Sequence, residues 1–215
     1  LKEKFEIASL LYCINSKSND SLYDQEVICY DGKSYITEEI EGLNFKIHAK
    51  SFFQTNTKQA YELYKIARDF AGLQGYEIVY DLYTGTGTIA QFIAKDCSKV
   101  VGVESVPEAI KAAQSSAKEN GIENAFFEVG DMRKVFNQDF INRHGEADVV
   151  ITDPPRNGMH PAVVKQLLFL KPKKIVYVSC NNATQARDLY KMKDQYKLSR
   201  SKACLLYTSP SPRDL

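Results

Sequence analysis

Ile78-Val79-Tyr80-Asp81-Leu82-Tyr83-Thr84-Gly85-Thr86-Gly87-Thr88 decides the fold. The first five residues are a short apolar run rich in β-formers, which reads as a buried strand. A glycine-rich turn follows, where glycine permits a tight bend and close approach of a ligand to the backbone. Ile89 to Ala94 then reads as a helix. A strand that turns through glycines into a helix is the opening of an α/β unit with a parallel sheet.

The same alternation continues toward the C-terminus. Lys99 to Glu104 reads as a second strand. Pro107 to Asn120 is a helix with proline near its start and Asn120-Gly121 as its stop. Ala125 to Val129 is a third strand, and Ala147 to Thr152 a fourth, ended by Pro154-Pro155. Pro161 to Leu170 is helical, Lys174 to Ser179 is a fifth strand, and Thr184 to Lys193 is a further helix. Each strand is a near-continuous apolar run, as strands covered on both faces are. Ligands of such sheets bind beyond the carboxyl ends of the strands. Asp81, Glu104, Asp153 and Cys180 all fall at those ends.

Toward the N-terminus the pattern changes. Val27 to Tyr30, a turn at Asp31-Gly32 and Tyr35-Ile36 suggest a hairpin, and Leu43 to His48 another strand. Residues 1–50 are expected to be the end of a small β-rich domain, and 51–203 the ligand-binding α/β domain. Residues 204–215 have no periodicity. They resemble the translated read-through of a sequencing adapter and are expected to stand outside the natural fold.

Composition excludes several classes. Of 215 residues 44% are hydrophobic and 26% charged, with a net charge of +1, so the chain does not announce a nucleic-acid binder by charge alone. Lysines cluster late, from Lys165 to Lys202, as a solvated face or a phosphate-contacting rim. The five cysteines form no C-x-x-C pair, which argues against a disulfide framework or a zinc site and suits a reducing cytoplasm. No apolar run approaches the roughly 20 residues that cross a bilayer.

Gly85-x-Gly87-x-x-Ala90 with Glu104 at the end of the next strand is ambiguous by itself. A carboxylate there can bind ribose hydroxyls in NAD as well as in other nucleosides. Two features favour S-adenosylmethionine. Asp81 stands before the glycines, where it can hold a cationic methionine end. Asp153-Pro154-Pro155-Arg156 follows the fourth strand, where rigid prolines fix an acceptor. Cys180, in Val178-Ser179-Cys180-Asn181-Asn182, is either inert packing or a nucleophile on the ligand-binding edge.

Five motifs in order resemble the bacterial RNA uracil-5-methyltransferases, most nearly the 23S ribosomal RNA branch. They are Ser51-Phe52-Phe53-Gln54-Thr55-Asn56, Asp81 to Gly87, Val101-Gly102-Val103-Glu104, Asp153 to Arg156, and Tyr177 to Asn181. The resemblance runs from about Tyr12 to Tyr196. It implies a Rossmann-like class I methyltransferase sheet, S-adenosyl-L-methionine as cofactor, RNA as partner, a cytoplasmic enzyme without a membrane anchor, and no metal in this stretch. Gln54, Tyr83, Gly85, Glu104, Asp131 and Asp153 would bind the cofactor, with Thr88 a further contact. Cys180 would be the nucleophile. Thr84 and Asn182 depart from the family's usual cysteine and proline. The family's C-terminal segment, which carries a proton-removing glutamate, has no match after Tyr196, so a C-terminally truncated sheet, at best weak cofactor binding and no turnover are expected. The alternatives are a transfer RNA uracil-5-methyltransferase, an amino-group methyltransferase using Asp-Pro-Pro, and an RNA-binding module without chemistry.

Overall fold

A computed structural model of the chain describes residues 7–18, 25–50, 54 and 56–206. Four strands come first: β1 (Ser9–Cys13), β2 (Val27–Gly32), β3 (Tyr35–Ile40) and β4 (Leu43–His48). Then follow α1 (Thr57–Ala71), β5 (Ile78–Leu82), α2 (Thr88–Ile93) with a 3-10 turn at Ala94–Asp96, β6 (Lys99–Glu104), α3 (Pro107–Glu119) and β7 (Ala125–Val129). The chain continues through α4 (Gln138–His144), β8 (Val149–Thr152), α5 (Pro161–Leu170), β9 (Lys174–Tyr177) and α6 (Asn182–Met192).

β5 to β9 form one parallel sheet in the order β7-β6-β5-β8-β9. Winding runs outward from β5 through β6 to β7, then resumes on the other side with β8 and β9. The reversal opens a crevice beside the carboxyl end of β5, where α/β sheets bind ligands. The side chains alternate between two apolar cores. Val79, Val100, Val149 and Ile151 face one core, shared with α1, α2 and α3. Tyr80, Val101, Val103 and Val150 face the other, where Phe136, Phe140, Met159 and Val163 close over them. Both faces are covered, which is why each strand reads as a continuous apolar run.

The N-terminal strands correct the expected hairpin. β2 pairs with β1, and β3 pairs with β4 across Glu41-Gly42. Asp31-Gly32 turns nothing back on itself; Gly32 ends β2 opposite Ser9. Glu41 and Gly42 have φ of 50° and 80°, the two left-handed residues that a tight two-residue hairpin needs. The β3–β4 hairpin packs onto the sheet domain, with Ile40 and Phe45 joining the core formed by α1, α2 and α3.

Two helices lie where the sequence reading assigns no element. Asn56 caps α1 by accepting from the Gln59 amide, Gly72 ends it at φ 59°, and Ala60, Tyr64, Ala67 and Ala71 form its buried stripe. α4 is a short helix capped by Asn137, burying only Phe140 and His144. The other differences are at element ends: β9 stops at Tyr177 and α6 begins at Asn182, capped by the Asn181 side chain. Residues 207–215, most of the expected foreign tail, lie outside the described residues.

Glu41 fastens the hairpin to the sheet domain. It accepts both guanidinium nitrogens of Arg68 at 2.8 and 2.9 Å, Lys95 Nζ at 2.7 Å and the Tyr61 hydroxyl at 2.9 Å. The Arg68 hydrogen bonds, helped by Lys95 and Tyr61, pull its carboxyl down to about 2 against the cost of burial. A depressed pKa stabilises the fold above the unfolded value and is lost as pH falls through the folded one. Glu41→Gln is therefore expected to lose about 1–3 kcal/mol at pH 7 in urea unfolding. The gap to the parent should shrink below pH 4.5 and close near pH 2; a gap independent of pH would exclude an ionic fastening.

Candidate active site at the carboxyl ends of the strands

The loop after β5 is tightly wound. Tyr83, Gly85 and Gly87 all have left-handed φ, at 60°, 56° and 76°. A Cβ on Gly87 would lie 2.6 Å from the Phe127 ring and 2.9 Å from Ala113 Cβ. Glycine is thus required there by both dihedral and space. The Thr84 amide donates to Val103 O at 3.1 Å and the Gly87 amide to Thr84 O at 2.8 Å, so the loop is laid across the end of β6. Glu104 closes β6. Its Oε1 accepts from the Ser105 and Val106 amides at 2.7 and 3.1 Å, and its Oε2 from the Gly85 amide at 3.3 Å. Backbone amides therefore fix the Glu104 carboxylate beside the glycine loop.

Asp81 lies one residue inside the end of β5 and is 1% exposed. Thr84 Oγ1 donates to its Oδ2 at 2.5 Å, while its Oδ1 is buried without a partner among the described residues. Burial, reinforced by the Asp153 charge, pushes the Asp81 carboxyl up to about 7. Asp153 follows β8, its amide 3.4 Å from Leu82 O, and burial pushes its carboxyl up to about 6. Tyr64 of α1 shares the neighbourhood: desolvation first, then Asp153 and Asp81, raise its phenol well above the ordinary range. Two carboxyls at the ends of adjacent strands, one with an oxygen unpartnered among the described residues, suit a cationic ligand group.

Tyr83, Asp131, Arg133, Pro155, Met159 and Arg187 line a neighbouring cavity of about 670 Å³. Asp131 is held by Arg133 at 2.7 Å, and this pairing drops its carboxyl to about 2. Cys180 is exposed in the turn between β9 and α6. Its neighbour Asn181 donates Nδ2 to Arg156 O at 3.2 Å, so the turn of Cys180 and the Asp153-Pro154-Pro155-Arg156 loop are directly joined. Gln54 is half-buried ahead of α1, while Ser51, Phe52, Phe53 and Thr55 of its motif lie outside the described residues. Thr88 is buried at the start of α2.

The sequence reading left out three residues that the site contains. Tyr64 belongs to the unassigned α1. Thr84 was marked only as a departure, yet its hydroxyl serves Asp81. Asp188 is fully buried in α6, and its only signal was a carboxylate on the apolar side of a helix. Among the described residues, no three His, Cys, Asp or Glu side chains are grouped to hold a metal ion, and no helix is long and apolar enough to cross a membrane.

Keeping Asp81 ionised inside the protein should cost stability that the site has reason to tolerate. A carboxyl raised from 3.8 to about 7 weakens the fold increasingly as pH rises through that interval. Asp81→Asn is expected to be more stable than the parent by about 2 kcal/mol at pH 8 in urea unfolding, with no gain below pH 4. Equal stability at pH 8 would mean that the buried charge is already compensated.

Comparison with known proteins identifies the family. A model of the tRNA (Uracil-5-)-methyltransferase family matches residues 25–208. An uncharacterized RNA methyltransferase of Porphyromonas gingivalis is 62% identical over 188 residues, 87% of this chain and 40% of that protein. One of Bacteroides thetaiotaomicron is 58% identical over 193 residues, 90% of this chain and 42% of that protein. The chain therefore spans about two fifths of the length of these relatives. The crystal structure of Pyrococcus abyssi tRNA (uracil-54, C5)-methyltransferase in complex with S-adenosyl-L-homocysteine superposes with a TM-score of 0.73 at 37% identity, over 88% of this chain and 45% of that one. Because that family model matches residues 25–208 of the 215, the chain belongs to the tRNA (Uracil-5-)-methyltransferase family.

Proposed function

We propose that the chain holds S-adenosyl-L-methionine and the nucleophile of an RNA uracil-5-methyltransferase, with Cys180 attacking the base. The observation that carries this reading is the union of two loops: the Cys180 turn is hydrogen-bonded through Asn181 to the Arg156 carbonyl of the Asp-Pro-Pro-Arg loop. A cofactor-facing carboxylate and a thiol thereby share one edge of the sheet.

The residues fit the cofactor. Asp81 offers an unpartnered buried oxygen to a cationic group, and Glu104, fixed by amides, offers an acceptor to ribose hydroxyls. Gly85 lets the backbone approach, and Tyr83 and Asp131 line the adjoining cavity. Gln54 and Asp153 complete the set that the family resemblance assigns. When bound, the cofactor supplies an electrophilic methyl group.

Cys180 supplies the covalent step. Carbon 5 of uracil is a weak nucleophile. The thiolate adds its electron pair to carbon 6, and the carbon 5–carbon 6 π pair moves toward the carbonyl at carbon 4, leaving carbon 5 electron-rich. After carbon 5 is methylated, loss of its proton to a base restores the double bond and expels the thiolate. The exposed turn gives Cys180 access to a base, which must leave its stack to reach it.

The motif resemblance favours 23S ribosomal RNA as substrate and the cytoplasm as its location. Transfer RNA is the second reading, favoured by the 37% identity to the Pyrococcus abyssi tRNA enzyme. We assign residues 1–50 to the end of a small β-rich domain, 51–203 to the cofactor domain, and 204–215 to neither.

With S-adenosylmethionine and ribosomal RNA containing 5-fluorouridine, a covalent adduct should form on Cys180, because fluorine at carbon 5 blocks the proton-loss step. Peptide mapping by mass spectrometry should place the adduct at Cys180, and Cys180→Ala should abolish it. An amino-group methyltransferase would instead remain active in Cys180→Ala and form no adduct.

A further inference from the structure

The start of α6 is stitched to the loop that follows β8. Asn181 Nδ2 and Thr184 Oγ1 both donate to Arg156 O at 3.2 Å, and Arg187 Nη2 donates to Asn157 O at 2.9 Å. The Met159 amide donates to Asp188 Oδ2 at 2.7 Å. Asp188 has no exposed surface. The same carboxylate accepts from the Tyr177 hydroxyl of β9 at 3.0 Å and from Arg187 Nε and Nη2 at 3.0 and 2.8 Å. Lys191 adds a looser pair at 3.7 Å. A buried carboxylate persists only when its oxygens are matched in this way.

Geometry makes the attachment close. Gly158 has φ 77°, and a Cβ there would lie 2.6 Å from both Arg187 Nη2 and Asp188 Oδ2. The loop backbone is thus seated directly on the α6 side chains. Asp188 joins three segments: the loop that begins with Asp153, the last residue of β9, and the helix that begins just after Cys180.

We propose that Asp188 is the positioning residue of the reaction, holding the Asp153-to-Met159 loop in fixed register with the Cys180 turn. It touches neither base nor cofactor; it acts through the Met159 amide and the Tyr177 hydroxyl. This role rests on Cys180 being the nucleophile as proposed above.

Two readouts separate the two ideas. Amide hydrogen exchange of residues 155–159, followed by mass spectrometry, reports the loop without any reaction. Asp188→Ala should speed exchange there at least tenfold while β5 and β6 keep their protection. Asp188→Asn, which retains an acceptor for Met159, should restore most of it. The rate of adduct formation with 5-fluorouridine RNA should fall at least tenfold in Asp188→Ala and recover to within about threefold of the parent in Asp188→Asn. If Asp188→Ala does not fold, Tyr177→Phe frees the strand from the carboxylate while keeping the ring, and should slow adduct formation several-fold in a chain that still unfolds cooperatively. Unchanged exchange in Asp188→Ala overturns the anchoring. Faster exchange with an adduct rate within twofold of the parent overturns the positioning role and leaves Cys180 standing. No adduct in the parent chain overturns the nucleophile, and the reaction role of Asp188 with it.

Discussion

Carboxylates withdrawn from water set the terms for the rest of this molecule. Asp81 lies one residue inside the end of the central strand, with one oxygen bonded to Thr84 and the other without a partner among the described residues, and Asp153 directly follows the adjacent strand. Burial raises both carboxyls. A fold optimised only for stability would replace them with apolar groups, since an unmatched buried polar atom costs of order 1–3 kcal/mol. Their retention makes sense where the missing partner is a ligand. Val79, Tyr80 and Leu82 offset the cost, each with no exposed surface on the same strand.

Asp188 is the opposite case. It is as deeply buried as Asp81, yet its oxygens are fully engaged by a backbone amide, a phenol and a guanidinium. One carboxylate is left open and the other is consumed by the scaffold. Glu104 and Glu41 divide in the same manner, the first held by amides beside the glycine loop, the second spent on Arg68 and Lys95.

The sheet was legible because its strands are short, near-continuous apolar runs. Three of them, Ile78–Leu82, Lys99–Glu104 and Ala125–Val129, have the limits that the residues suggest. The N-terminal hairpin was misread because Asp-Gly is the stronger turn signal, whereas Glu41-Gly42 needs a glutamate in the left-handed region. That strain is tolerated beside a fourfold anchor on the Glu41 side chain, which only the tertiary structure reveals. α1 was passed over although its stripe at Ala60, Tyr64, Ala67 and Ala71 has helical spacing. Among site residues, those on strand ends could be named in advance from position. Thr84 and Asp188 could not, because a hydroxyl and a helix carboxylate acquire their roles from partners distant in the sequence or folded back upon them.

The strand order also has a consequence for synthesis on the ribosome. β5 is central, but its neighbours are not made together. β6 follows at once, whereas the Ile78 amide finds the Asp148 carboxylate 70 residues later, where β8 begins. A nascent chain can therefore assemble β5, β6 and β7 with α2 and α3 while the far side of β5 still waits for its partner. Closing so long a loop carries an entropic cost that local pairing does not. The crevice at the winding reversal thus forms only when β8 emerges, and until then the open side of the central strand is the surface a chaperone would have to shield.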